Sequence, residues 1–185
     1  MAVSQSEFAE AKMQLKTKRL DIRYINEDDW KSLIDIWDDF SHSEFAKYDV
    51  PHSETEDEVR EKVKLWAQVS PNREHIFFAI CLEDKLIGYA DFHKDKTGYE
   101  CGYCFHSAYH GNGYAKESIV ALMEWLSQNK KMCFTAKTAL KNIPSVKLLE
   151  GIGFTKIGEE RTSFYKDDNG EDICFIGGIF TFETE

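Results

Sequence analysis

From Arg19 to Tyr24 the chain reads RLDIRY, alternating apolar and charged positions as a half-buried strand does. The period then lengthens. Trp30, Leu33, Ile34 and Trp37 fall on one face of a helix, with Asn26 placed to cap it and Glu27, Asp28 and Asp29 favourable in its first turn. A second helical stretch, near Glu56 to Gln68, carries Val59, Val63 and Trp66. Between them SHSEFAKYDVPHSETE has neither period; its His42, Tyr48 and His52 fit either the mouth of a binding site or an exposed connector. Beyond Pro71 and Asn72, HIFFAICL and LIGYADFH read as strands joined at Glu83-Asp84-Lys85, and a turn over 95–98 leads into a third, Tyr99 to about His106. Three successive strands without an intervening helix predict an antiparallel meander.

The third strand runs into a loop with Gly111, Asn112 and Gly113, after which Ala115, Ile119, Leu122 and Leu126 recur at helical spacing. Strand, glycine loop and helix in that order make an anion site. Glycine lets the backbone N–H groups turn toward a ligand, and the helix N-terminus presents free donors and positive dipole to the same place. The preceding meander, and Lys116 where a third glycine would stand, exclude a dinucleotide fingerprint. The helix ends near Asn129, and MCFTAKT follows as a strand. Asn142 and Pro144 then open a helix that Gly151 or Gly153 stops. Two closing strands, about Lys156 to Lys166 and Glu171 to Phe182, join at Asn169-Gly170, a hairpin signal. No repeat or linker divides the chain. Residues 1–14 read as a flexible leader and 15–185 as one domain.

Composition narrows the function. A chain of 185 residues with 42% hydrophobic content can bury one substantial core. A net charge of -10 argues against a nucleic-acid partner; it suits a cationic partner such as an amine, or simply a solvated acidic surface. No apolar run approaches the roughly 20 residues of a membrane span, and the N-terminus lacks a signal pattern, so a cytoplasmic location is expected. Five cysteines, an odd number in apolar contexts, fit reduced thiols. Cys101 and Cys104 have C-x-x-C spacing, yet three residues apart on a strand they face opposite sides and cannot bridge. His106 and His110 flank the loop without a carboxylate or cysteine at zinc spacing to complete a site, so no metal is expected.

Three signatures then fall at compatible spacing. Thr17, Arg19, Leu20, Ile22 and Arg23 give T-x-R-L-x-I-R. His110-Gly111-Asn112-Gly113-Tyr114-Ala115 matches an acyl-coenzyme A loop of the form Gln/Arg-x-x-Gly-x-Gly/Ala. Asn142, Ser145, Leu148, Gly153 and Phe154 give Asn-x-x-Ser-x-x-Leu-x-x-x-x-Gly-Phe. Nearly the whole chain thereby resembles the GNAT superfamily of N-acetyltransferases, and within it the branch of ribosomal-protein N-terminal acetyltransferases. The resemblance implies an α/β (α+β) single domain: a mixed, strongly twisted sheet of about seven strands with about four helices. Its central strands, ending near His106 and beginning near Met132, would splay apart.

The same resemblance implies acetyl-CoA as cosubstrate, with pantetheine in the splay beside Phe105 and His106. The pyrophosphate would rest on the backbone of His110, Gly111, Asn112, Gly113, Tyr114 and Ala115, with Asn142 also on the coenzyme. A primary amine (protein N-terminus, polyamine or other small amine) would attack directly. Glu100, the charge that interrupts an uncharged, aromatic-rich strand, matches the family's base, which an amine protonated at neutral pH requires. Two departures stand out. His110 replaces the usual glutamine or arginine, and Leu149 stands where many relatives carry a tyrosine that protonates the leaving thiolate; Ser145 is the substitute donor. On the residues alone, Asp91 and His93, on one face of the strand before that of Glu100, are either further acceptor-site candidates or ordinary solvated side chains. Relatives commonly form homodimers, though no residue here fixes that. The alternative reading is a non-catalytic acyl-CoA-binding sensor or interaction module on the same fold.

Overall fold

A computed structural model describes residues 13–52, 54–128 and 130–184. The leader expected over 1–14 lies outside the described residues as far as residue 12. In chain order the elements are β1 (Gln14–Lys16), β2 (Leu20–Tyr24), α1 (Trp30–Ser41), α2 (Glu56–Val69), β3 (His75–Leu82), β4 (Lys85–Lys94) and β5 (Gly98–Phe105). There follow α3 (Tyr114–Ser127), β6 (Cys133–Ala139), α4 (Ile143–Ile152), β7 (Thr155–Lys166) and β8 (Asp172–Glu183). The strands form one sheet in the order β1-β2-β3-β4-β5-β6-β8-β7. That is eight strands, one more than the pattern suggested. The addition is β1, whose three residues are too few to show a period.

The sheet is the middle of three layers. In β3, Ile76, Phe78 and Ile80 join the core under α3 and α4, whereas Phe77, Ala79 and Cys81 join the core under α1 and α2. Burial on both faces explains why this strand is continuously apolar, although it is antiparallel to both neighbours. On α1 the buried residues are Leu33, Ile36 and Trp37, so its inner face is rotated slightly from the expected one. Asn26 caps as predicted. Its side chain accepts from the Asp28 N–H at 2.9 Å and the Asp29 carboxylate accepts from the Asn26 N–H at 2.8 Å, while Arg23 of β2 grips Asp29 with both terminal guanidinium nitrogens.

The feature that positions a site is the junction of β5 and β6. Among the described residues all other pairings are antiparallel; this one is parallel and has three rungs, Gly98–Cys133, Tyr99–Phe134 and Glu100–Thr135. Past Glu100 and Thr135 the strands separate, β5 staying on β4 and β6 on β8. The expected splay is therefore present, with its foot at Glu100. Because the His106 N–H goes to the Ile87 carbonyl of β4, alternation turns the backbone groups of Phe105 and Tyr103 toward the gap.

Candidate active site

At the head of the gap the chain leaves β5 through one tight turn, residues 107–109. Asp39 of α1 holds that turn, accepting from the Ser107 N–H at 2.7 Å and the Ser107 hydroxyl at 2.6 Å. Burial works to raise the Asp39 pKa, but these two bonds and the nearby histidines outweigh it and leave the carboxyl below its ordinary value. The His106 ring accepts from the Ala108 N–H and lies 3.7 Å from Asp35 and 3.8 Å from Asp39. Its side chain therefore belongs to the α1 contact. His110 turns back, with Nε2 2.8 Å from the Phe105 carbonyl oxygen; the ring carries a proton there and ties the loop to the strand end.

Gly111 and Gly113 have φ of 76° and 78°, the left-handed region that other residues enter at a cost. A side chain at 111 would meet nothing in the protein, so the backbone angle, not crowding, requires the glycine there. The Asn112 amide donates back to the Tyr109 and His110 carbonyls and shapes the turn. Gly113 is the N-cap residue of α3 and supplies no side-chain cap, so the first-turn donors stay open. The acidic residue of that turn, Glu117, is drawn away by Thr17 and Arg19. Its burial would raise its pKa, yet those partners bring the carboxyl below its usual value. Arg19 also donates to the Asn112 carbonyl at 2.9 Å, and its guanidinium lies 4.4 Å from the centre of the Tyr114 ring.

The start of α4 makes the facing wall. Asn142 caps it, accepting from the Ser145 N–H at 3.3 Å, and Pro144 sits where its missing N–H costs nothing. Between the walls is a cavity of about 300 Å³, lined among others by Phe105, His110, Gly111, Gly113, Tyr114, Ala115, Asn142 and Ser145. Eight of the residues expected at the site are thus brought together. The cavity also takes in Tyr103 and Lys116, neither of them among the expected site residues. The Tyr103 phenol meets the Ser145 hydroxyl at 2.8 Å. Leu149 is fully buried in the core.

Glu100 is placed apart from this cavity, exposed, at the last rung of the β5–β6 junction. It shares a face of β5 with Gly102 and Cys104, the face under α1 and α2, while Tyr103 packs with the opposite core. On that face Asp91 lies against Gly102, its carboxylate 2.8 Å from where a β-carbon would be. His93 Nε2 stands 3.0 Å from Asp91, and this bond raises the His93 pKa against the opposing effect of burial. Burial raises the pKa of Asp49, in the segment between α1 and α2. That segment is docked: His52 stacks on Trp37 at 4.3 Å, Tyr48 meets Phe175 at 5.3 Å, and the Tyr165 hydroxyl donates to the Ala46 carbonyl. Cys101 and Cys104 do fall on opposite faces, and burial pushes both thiols up to about 12, so neither is a thiolate at neutral pH.

Comparison with known proteins places this geometry. A family model described as an acetyltransferase (GNAT) domain matches residues 19–155. Among curated protein sequences none matches significantly. Solved structures do. The chain is similar to RimL, described as a ribosomal L7/L12 alpha-N-protein acetyltransferase, with a TM-score of 0.80 at 16% identity over 94% of this chain and 95% of that one. It is similar to a GNAT-family acetyltransferase from Bacillus anthracis, with a TM-score of 0.70 at 26% identity over 92% and 98%. The microcin C7 self-immunity acetyltransferase MccE, solved with acetyl-CoA and AMP, gives 0.74 at 15% identity over 91% and 94%. With the family model spanning most of the chain and the same fold in these structures, the chain belongs to the GNAT acetyltransferase family.

Proposed function

We propose that this protein is an acetyl-CoA-dependent N-acetyltransferase that passes the acetyl group to a primary amine by direct attack in a ternary complex. The observation that carries the reading is the gap between β5 and β6, footed at Glu100 and headed by the uncapped N-terminus of α3. Backbone donors from Gly111 to Ala115 suit a pyrophosphate, and the two left-handed glycines keep side chains off that surface. Tyr103 and Phe105 turn their backbone edge into the gap, where an amide-bearing arm such as pantetheine can pair as a strand would. Acetyl-CoA is bound by MccE, and RimL acts on a protein N-terminus; both support this reading.

The two faces of β5 divide the labour. Asp49, Asp91 and Glu100 give the α1–α2 face a negative field that favours a cationic amine. The same field favours the ammonium form, which cannot attack, so a base is needed. Glu100 is three residues from Tyr103, roughly 10 Å along the strand. It therefore acts through water rather than by direct contact. The test is thiol release from acetyl-CoA across a panel of amines, with coenzyme affinity measured in parallel. Turnover is expected with at least one amine, and Glu100→Gln should lower kcat by roughly ten- to a hundredfold while coenzyme affinity and melting temperature hold. Tight coenzyme binding with no turnover on any amine would instead make the protein an acyl-CoA sensor.

A further inference from the structure

If the cleft transfers acetyl groups, as proposed above, the sulfur that leaves when the amide forms must gain a proton. Position 149 cannot give one, since Leu149 is wholly buried among apolar residues. One helical turn earlier on α4, Ser145 faces the cavity. Its hydroxyl behaves unlike those of Ser41, Ser118 and Ser127. Each of those three donates back to a carbonyl of its own helix, the usual local satisfaction of such a residue. The Ser145 oxygen instead meets the phenol of Tyr103, 42 residues away, at 2.8 Å.

We infer that Tyr103 is a positioning residue for the leaving group: its phenol donates to the Ser145 oxygen, which frees the Ser145 proton for the departing thiolate. A hydroxyl has one proton and two lone pairs, so accepting from Tyr103 leaves the serine O–H to aim into the cavity. A donor chain of this kind strengthens its terminal donor, and the α4 N-terminus adds favourable potential for the charge developing on sulfur. The step balances. The amine nitrogen forms its bond to the acetyl carbon as the carbon–sulfur bond breaks, and that electron pair goes to sulfur. The Ser145 proton moves to sulfur and the Tyr103 proton to the serine oxygen. The nitrogen gives its surplus proton through water to Glu100, and Tyr103 recovers one from solvent. Burial holds the Tyr103 phenol well above its ordinary pKa, so the chain is reloaded with protons before the next turnover at neutral pH.

Tyr103 comes from the face of β5 opposite Glu100. Proton removal from the amine and proton delivery to sulfur are thereby kept on separate sides of the strand, so the base cannot short-circuit the donor. The loss of a tyrosine from α4 is met by a tyrosine reaching across from the sheet.

The test compares wild type, Tyr103→Phe, Ser145→Ala, the double variant and Ser145→Thr, reading kcat, the amine KM, coenzyme affinity by calorimetry and the melting temperature. Tyr103→Phe should lower kcat by roughly tenfold or more, with amine KM and coenzyme affinity within about twofold. The double variant should be no slower than Ser145→Ala, because the serine is the only route from phenol to sulfur. Ser145→Thr, which keeps a hydroxyl, should stay within about threefold of wild type, and it carries the test if Tyr103→Phe fails to fold. Wild-type kcat in Tyr103→Phe, losses that multiply in the double variant, or Ser145→Thr as slow as Ser145→Ala would each overturn the inference. A wild-type protein that turns over no amine defeats the acetyltransferase reading first and this one with it.

Discussion

Arg19 stands just before β2 and reaches 93 residues along the chain to hold the Asn112 carbonyl between the two left-handed glycines. It does three things at once: it fixes the loop carbonyl, it removes the Glu117 carboxylate from the helix mouth, and it braces the Tyr114 ring. An anion placed on the loop therefore meets open donors, with the Glu117 carboxylate already paired. Arg19→Ala should weaken coenzyme A binding roughly tenfold, the scale of losing a charge-assisted bond partly exposed to water, while the melting temperature shifts by only a few degrees. Lysine should not rescue it, since one ammonium cannot span the carboxylate and the carbonyl as a guanidinium fork does. Calorimetry on the three proteins checks this; unchanged affinity in Arg19→Ala would leave the backbone cradle sufficient by itself. Arg19 was visible in the sequence only as a motif letter, and Tyr103 as one aromatic among several. Their roles depend on partners far along the chain, which no local period encodes.

At the scale of elements the sequence was more legible, because periodicity, caps and turn residues are local signals. The β3–β4–β5 meander, the α4 cap at Asn142 and the final hairpin at Asn169-Gly170 appear where the pattern put them, and of the two glycines offered as the α4 stop the structure uses Gly153. Face assignment by the two-residue period also carried over, separating Cys101 from Cys104; the same period puts Tyr103 and Glu100 on opposite faces. Where β5 and β6 part is set by packing and has no local signal, and the structure puts that point at Glu100. The β3–β4 ladder also brings His75 opposite His93, with their Nδ1 atoms 3.0 Å apart. One proton can occupy that contact, so a protonated His93 donates Nδ1–H to His75 and Nε2–H to Asp91. Asp91 and, across the next strand, Glu100 favour that charged form, and the His93 pKa is raised above its usual value of about 6.5. The folded-state pKa exceeds the unfolded one, so the stabilisation is complete below about pH 6.5 and is lost as pH climbs through the raised value. Denaturant midpoints measured from about pH 6 to 9 should fall more steeply with pH in wild type than in Asp91→Asn. Equal slopes would show that the pair adds nothing to folding.

Across the whole molecule the charge sets an asymmetry between the two substrates. The chain carries a net charge of -10, and Asp49, Asp91 and Glu100 share the face assigned to the acceptor, whereas Arg19 and Lys116 stand at the loop assigned to the coenzyme. A cationic amine is drawn to the molecule at long range and again at its own face. An anionic coenzyme is repelled at long range and held only once it reaches the loop. Salt screens the long-range part, with a Debye length of about 30 Å at 0.01 M falling to about 8 Å at 0.15 M. Raising the salt across that range should therefore cut kcat/KM for a doubly charged amine several-fold, and cut it less for a singly charged one. The association rate of the coenzyme should rise or hold over the same range. Stopped-flow binding and initial rates at matched salt separate the two responses. A parallel fall in both would mean that the basic loop outweighs the charge of the whole chain; no fall for the dication would mean that the acidic face is a solvated surface and the amine enters elsewhere.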